Sequence, residues 1–158
     1  MKVAIILGSC SDQQIAQEAM EICKKFGVEA EMKVMSAHRS PFKIHEFAKH
    51  AEHNGYSVII AIAGKAAHLA GSIAALTTLP VIGVPVNSSL NGLDALLSTA
   101  QMPGGIPVAT VGINEGKNAG ILAVEILALQ NNNLRDKLRY YKKELEMEVE
   151  EMNQNLCK

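Results

Sequence analysis

The sequence predicts a doubly wound α/β domain, in which helices cover both faces of a parallel β-sheet. Two observations predict it. Short, almost purely apolar segments alternate with segments of helical periodicity, and most of the apolar segments end at Gly, Ser or Pro, which are typical of loops. Parallel strands require crossover helices and are buried on both faces, and this accounts for the alternation and for the apolar strands.

The first unit is the clearest. Residues 3–7 form a continuous apolar run with β-branched side chains, which predicts a buried strand. Residues 12–26 carry Ile15, Ala19, Ile22 and Phe26 at helical spacing, and Gly27 is placed to end that helix.

The same pattern then repeats along the chain. Strands are predicted at 29–35, 58–63, 80–84 and 107–111, and helices at 41–54, 66–76, 93–99 and 118–129. In such a sheet the ligand site lies outside the carboxyl ends of the strands. The loops that begin at these ends are therefore expected to converge on one site; they start at Gly8, Ser36, Gly64, Pro85 and Gly112.

The last segment differs in composition. Residues 134–152 are densely charged, and apolar side chains three or four apart form one stripe: Leu134, Leu138, Tyr141, Leu145, Val149 and Met152. This spacing predicts an amphipathic helix, whose stripe packs either on its own domain or on a neighbouring subunit. We expect residues 1–130 to form a single α/β domain and residues 131–158 to form this added C-terminal helix.

Composition excludes several function classes. The 158 residues carry 15 Lys and Arg against 16 Asp and Glu, so no global field attracts nucleic acid or an anionic membrane. Cys10, Cys23 and Cys157 are odd in number and widely spaced, which predicts reduced thiols in a cytosol. The N-terminal apolar run is too short for a signal peptide, and no apolar stretch is long enough to span a membrane. The sequence thus predicts a soluble, cytoplasmic protein.

The loop after the first strand reads GSCSD and opens the first helix. A helix start exposes unpaired N–H groups that can hold a phosphate, and the hydroxyls of Ser9 and Ser11 would add donors. Asp12 could accept hydrogen bonds from ribose hydroxyls. The alternative is that Ser11 or Asp12 only caps the helix. The dinucleotide fingerprint and the Walker A ending are absent from this loop, which disfavours NAD-dependent or ATP-dependent chemistry.

The second and third loops carry histidines. Ser36 to Pro41 places His38 and Arg39 at the end of a strand, where Arg39 can hold a phosphate and His38 can transfer a proton. The alternative is a surface turn in which Ser40 caps the next helix. In the third loop, His68 lies among alanines and looks buried, so it is either a core residue or a ligand contact.

The remaining candidates carry less information. His45, His50 and His53 are interpreted as a partly exposed helix face, and no metal site is predicted. Residues 91–94 and 101–105 either wall a pocket or form ordinary turns rich in Gly and Pro. The chain lacks a GxSxG nucleophile elbow, which disfavours covalent catalysis.

Seven segments in consistent order resemble one family. They are GSCSD, SAHRSP, AGKAAHLAG, LPVIGVPV, NGLDALLS, QMPGGIPVAT and NAGILA. The family is the catalytic subunit of phosphoribosylaminoimidazole carboxylase, whose bacterial type is N5-carboxyaminoimidazole ribonucleotide mutase of purine biosynthesis. The resemblance extends from Lys2 to about Leu129.

The resemblance implies a flavodoxin-like, three-layer αβα fold and a role for each loop residue. Ser9 and Arg39 match phosphate contacts, with Ser11 and Ser36 on the phosphate side, and Asp12 matches a ribose contact. His38 matches the general acid and base, and His68 matches a residue beside the aminoimidazole ring. The family resemblance also implies a homo-octamer, no cofactor or metal, and a separate ATP-dependent synthetase that supplies the ribonucleotide substrate.

The chain departs from the usual mutase pattern at two positions. Most bacterial members carry an uncharged residue in place of Lys65 and a proline in place of Ala70. A basic residue near Lys65 resembles the enzymes that carboxylate aminoimidazole ribonucleotide directly with CO2, whereas His38-Arg39 and the AAHL segment resemble the mutase. We therefore expect the mutase activity, with the direct carboxylase and a non-catalytic nucleotide-binding protein as alternatives.

Overall fold

Five parallel strands form one sheet in the order β2-β1-β3-β4-β5 within residues 1–156, which the computed structural model describes. The strands are β1 (Lys2–Leu7), β2 (Glu29–Val34), β3 (Tyr56–Gly64), β4 (Val81–Val86) and β5 (Ala109–Thr110). This is the flavodoxin-like strand order, so the predicted fold class is confirmed. The third predicted thiol, Cys157, lies outside the described residues.

Helices cover both faces of this sheet. They are α1 (Gln13–Phe26), α2 (Pro41–His50), α3 (Leu69–Ala74), α4 (Leu93–Ala100), α5 (Gly116–Ala128) and α6 (Asn132–Leu156). Helices α1, α5 and α6 pack over the face that includes Ile5 of β1, and helices α2 and α3 pack over the face that includes Ile6. None of the helices described here is both long enough and apolar enough to cross a membrane.

Helix α6 is divided along its length. Its first turns bury Leu134, Leu138 and Tyr141 against the domain, where the rings of Tyr141 and Phe26 meet edge to face at 5.6 Å. The same stripe then continues into exposed side chains: Val149 (55%), Met152 (60%) and Leu156 (82%). The own-domain interpretation therefore holds for the first half of the stripe, and the second half stays on the surface of the single chain.

Several predicted boundaries were wrong. The third helix is shorter than residues 66–76 because residues 65–68 form a loop in which Lys65 has a φ of +56°. The second helix ends at His50, and a turn follows that closes at Gly55 with a φ of +83°. Strand β5 has only two residues, and the next helix begins at Gly116, earlier than expected.

A cluster of charged side chains around Glu31 links the edge strand β2 to β1 and β3. Glu31 of β2 accepts a hydrogen bond from the Tyr56 hydroxyl, and its carboxylate lies 2.7 Å from Lys2 Nζ and 3.0 Å from Lys33 Nζ. Hydrogen bonds from Lys2, Tyr56 and Lys33 lower the pKa of Glu31 from its usual 4.5 to about 2. The cluster thus joins β1, β2 and β3, and β2 is the strand that leads into the His38 loop.

We predict that Glu31→Gln lowers the stability of the protein at neutral pH and flattens its pH dependence in acid. Because the pKa is lower in the folded state, the carboxylate stabilises the fold above about pH 4.5, and this contribution is lost as the pH falls toward about 2. Urea unfolding at several pH values measures both effects. Glu29→Gln is the matched control, since Glu29 is more exposed and lies 3.7 Å from Lys2. An unchanged pH profile in Glu31→Gln would contradict the assignment.

Candidate active site

The carboxyl ends of three adjacent strands lie level with each other. Leu7 of β1 pairs with Val34 of β2 on one side and with Ile62 of β3 on the other. The chain after β1 stays attached, because the Gly8 N–H donates to the Ile62 carbonyl at 2.9 Å. The loops that follow these strands therefore start at the same edge of the sheet.

These loops surround a cavity of about 490 Å³. All seven side chains singled out in the sequence line it: Ser9, Ser11, Asp12, Ser36, His38, Arg39 and His68. The structure thus brings together residues that are up to 59 positions apart in the chain. Of the loops expected to converge, the first three form most of the wall, and the fourth contributes Ser88.

The first loop forms a one-turn 3₁₀ helix, Cys10–Asp12, that leads into α1. Ser9 caps this turn, because its hydroxyl accepts from the Ser11 N–H at 3.4 Å. Asp12 occupies the N-cap position of α1 without a side-chain capping bond; instead its carboxylate accepts from the Ser11 hydroxyl at 2.9 Å. Asp12 is only 7% exposed. Its carboxylate therefore lies at the cavity wall and does not cap the helix.

The second loop is held by hydrogen bonds between Ser36 and Ser40. The Ser40 hydroxyl accepts from the Ser36 N–H at 3.1 Å and donates to the Ser36 carbonyl at 3.0 Å. Ser40 occupies the N-cap position of α2 but makes no side-chain capping bond, so the capping alternative was wrong for its hydroxyl. The Ser36 hydroxyl accepts from the Arg39 N–H at 3.2 Å.

Arg39 connects the first two loops. One guanidinium nitrogen, Nη2, donates to the Gly8 carbonyl at 3.0 Å, and the side chain remains exposed at the cavity. A guanidinium has five N–H donors, so this single bond leaves others to receive an anion. The bond to Gly8 orients the cation beside the helix start of the first loop.

The third loop brings a second histidine to the cavity. His68 is the N-cap residue of α3 and is exposed, so the expectation of a buried histidine was wrong. Its Nδ1 lies 3.0 Å from His38 Nε2, and the two rings meet edge to face with centroids 5.1 Å apart. In this contact one nitrogen donates and the other accepts, so the tautomers of the two rings are coupled.

Two further cavity residues with polar side chains, Ser88 and Lys65, were not singled out as site residues in the sequence. Ser88 follows β4 and comes so near Gly64 that a Cβ at Gly64 would lie 2.3 Å from its hydroxyl oxygen. In the sequence, the position of Ser88 shortly after a buried strand was the signal that could have identified it as a site residue. Lys65, in the loop after β3, also lines the cavity. Within the described chain, residues 91–94 and 101–105 do not line it, so the expectation that they wall this pocket was wrong for the single chain.

The arrangement can bind an anion and move a proton. The Arg39 cation and the serine hydroxyls lie beside the start of the first helix, and such a combination binds phosphate. The histidine pair lines the same cavity, where it can deliver a proton to, or take one from, a bound ligand.

Comparison with known proteins agrees with this geometry. The AIR carboxylase family matches residues 2–148 of the chain. N5-carboxyaminoimidazole ribonucleotide mutase of Thermotoga maritima is 53% identical over 156 residues, covering 98% of this chain and 91% of its own length. The protein of the same name from Pyrococcus abyssi is 55% identical over 145 residues, covering 91% and 83%.

A solved structure shows the same fold. Treponema denticola PurE superimposes with a TM-score of 0.86 at 26% identity, covering 99% of each chain. The sequence match, the shared fold and the clustered loop residues all point the same way. The chain is a member of the AIR carboxylase family.

Proposed function

We propose that this chain is an N5-carboxyaminoimidazole ribonucleotide mutase, which converts that nucleotide to 4-carboxyaminoimidazole ribonucleotide in purine biosynthesis. The observation that carries the proposal is the contact between His38 and His68 at 3.0 Å, inside a cavity that also holds Arg39 and the serines of the first loop. The relatives from Thermotoga maritima and Pyrococcus abyssi carry this name, which supports the same reaction.

Each loop takes one part of the nucleotide. Arg39, Ser9 and Ser11 bind the phosphate, and Ser36 lies on the same side. The buried carboxylate of Asp12 accepts hydrogen bonds from the ribose hydroxyls. This division is supported by charge, because a carboxylate repels a phosphate but accepts readily from hydroxyl groups. The aminoimidazole ring then lies beside His68.

The reaction consists of two proton transfers around a carboxyl transfer. The bond between N5 and its carboxyl carbon breaks, CO2 leaves, and His38 donates a proton to N5. Carbon C4 of the ring, made electron-rich by the amino group, then attacks the CO2. His38 removes the C4 proton and returns to its starting state, so the reaction is an isomerisation. The protein contributes positioning and proton transfer, and we propose that it uses no cofactor or metal.

His68 supports this cycle by orienting His38. The hydrogen bond between the two rings fixes the orientation of the His38 ring and couples its tautomer to that of His68. A general acid must be aimed at the accepting atom before its acidity matters.

The substrate must come from another enzyme. A carbamate on N5 is labile, and the first loop has no Walker A ending to bind ATP. We propose functional coupling to an ATP-dependent carboxyaminoimidazole ribonucleotide synthetase. We also propose a cytoplasmic location, which the free thiols of Cys10 and Cys23 support.

Assembly completes the site. His38, Arg39 and His68 are exposed in the single chain, whereas the free CO2 has to be retained and water excluded. The exposed apolar side chains include two groups: Leu90, Leu93 and Leu97 near α4, and Val149, Met152 and Leu156 on α6. We propose that these surfaces pack in a homo-octamer, in which neighbouring copies close the cavity.

The first experiment compares two one-carbon donors. Purified protein is supplied either with N5-carboxyaminoimidazole ribonucleotide or with aminoimidazole ribonucleotide and bicarbonate, and formation of the 4-carboxylated product is followed. We expect rapid turnover of the first substrate and a need for very high bicarbonate with the second. Efficient carboxylation at low bicarbonate would instead identify a direct carboxylase. Tight binding without turnover of either would identify a nucleotide-binding protein.

A second prediction concerns His38. His38→Asn removes the acid and base but keeps a polar side chain, so we expect turnover to fall by about 10²- to 10⁴-fold. Nucleotide affinity, measured by calorimetry, should change little, because the phosphate and ribose contacts remain. His53→Asn is the control, since His53 is exposed and lies outside the cavity. Near-normal turnover by His38→Asn would refute the assignment.

A third prediction tests the assembly. Sedimentation equilibrium should give about eight times the 17.0 kDa mass of the single chain. The double substitution Val149→Lys and Met152→Lys should reduce this mass, because it places charge on the apolar stripe. Glu150→Lys is the matched control. It places a lysine at an exposed position of the same helix, and this position is already charged, so the mass should stay unchanged. A single-chain mass for the unmodified protein would rule out the octamer.

A further inference from the structure

Lys65 lines the cavity but has no part in the binding roles proposed above. Among the described residues, the other acidic and basic side chains that line the cavity, histidines aside, are those of Asp12 and Arg39. In the proposed function, Asp12 binds the ribose and Arg39 binds the phosphate. The nucleotide carries one more charged group, the carboxylate that is transferred, and the cavity carries one more cation.

The backbone at Lys65 is unusual. Its φ of +56° lies in the left-handed region, where a residue with a Cβ is disfavoured and glycine is not. Non-glycine residues in such conformations cluster at functional sites, where the side chain has a task that offsets the strain. The loop could adopt this turn more readily with glycine, so the lysine side chain itself needs an explanation.

The sheet separates the starts of the loops that carry Arg39 and Lys65. Arg39 follows β2 and Lys65 follows β3, and β1 lies between these strands, so their loops start roughly 10 Å apart. Arg39 is fixed toward β1 by its bond to Gly8. Ser88, which follows β4, lines the cavity on the far side, beside Gly64.

The carboxylate of Asp94, whose pKa is affected by the charge of Lys65, accepts its hydrogen bonds from other groups. Asp94 accepts from the Ser89 hydroxyl, which is the main reason that its pKa is lowered; a bond from the Ala95 N–H and the charge of Lys65 add smaller effects. Over residues 1–156, no carboxylate forms an ion pair with Lys65. The ammonium group therefore remains available at the cavity.

We propose that Lys65 binds the carboxylate of the nucleotide and so determines specificity for the carboxylated over the uncarboxylated form. The inference rests on the proposed function, because it takes the substrate and product from that reaction. An ammonium in the cavity attracts the carboxylate of either nucleotide, whereas the CO2 formed between them is neutral. Lys65 therefore favours the two carboxylated states.

The test compares two ligands that differ by one group. Calorimetry measures the affinity for 4-carboxyaminoimidazole ribonucleotide and for aminoimidazole ribonucleotide, in the unmodified protein and in Lys65→Met. We expect Lys65→Met to weaken binding of the carboxylated ligand by about tenfold or more, the usual effect of losing a charge-assisted hydrogen bond. Affinity for the uncarboxylated ligand should stay within about twofold.

Three further variants sharpen the result. Lys65→Arg keeps the charge and should retain most of the discrimination. Lys65→Gly suits the left-handed backbone, so it should fold at least as well and still lose the discrimination. Lys49→Met, on the exposed end of α2, is the matched control and should bind both ligands as the unmodified protein does.

The outcomes separate this inference from the proposed function. If Lys65→Met binds both ligands as before, or weakens both equally, Lys65 does not recognise the carboxylate, although the mutase activity can stand. If the unmodified protein binds neither nucleotide, the proposed function fails and the role of Lys65 fails with it. Selective loss of the carboxylated ligand supports the inference.

Discussion

The parallel register of β1 with β2 and β3 is the constraint on which the site depends. Because Leu7 is level with Val34 and with Ile62, three loops leave the sheet at the same edge and in the same direction. The histidines of two separate loops can then touch across the loop of the strand between them. A shift of one residue in either pairing would move one loop along the strand axis by about 3.3 Å and separate the rings.

Hydrogen bonds within and between the loops hold these loops in fixed positions at the common edge of the sheet. The Ser36 and Ser40 pair closes the second loop on itself, and the Arg39 side chain ties it to the Gly8 carbonyl. Each bond contributes only about 1 kcal/mol to stability, but together they restrict where the imidazole of His38 can lie. The loop gains its order from its own backbone and hydroxyl groups, so it can keep this shape before a ligand binds.

The sequence predicted the layers of the fold well and the irregular segments poorly, for physical reasons. Apolar strands and capped helices carry their signal in neighbouring residues, so the alternation of strands and helices and the clustering of the loops followed. The flavodoxin-like strand order came from the family resemblance alone. The exposure of His68 depends on its place at the start of α3, and that start depends on the left-handed turn at Lys65. Strand β5 pairs with β4 only at Ala109 and Thr110. Pro107, two residues before Ala109, has no N–H to donate, which limits the strand on that side.

In the proposed reaction, charge explains how one cavity can hold a nucleotide that loses and regains a carboxyl group. The phosphate would not change during that reaction, and Arg39, the cation proposed to bind it, is fixed to the backbone of the neighbouring loop. The carboxylate would become neutral CO2 and then a carboxylate on another atom, so the flexible side chain of Lys65 suits it better than a rigid guanidinium. The proposed acid and base has to reach N5 and C4 in turn, and a histidine oriented by a second histidine meets that need. The single chain leaves His38, Arg39 and His68 exposed. Because the proposed reaction has to retain CO2 and exclude water, it depends on the proposed assembly as much as on His38.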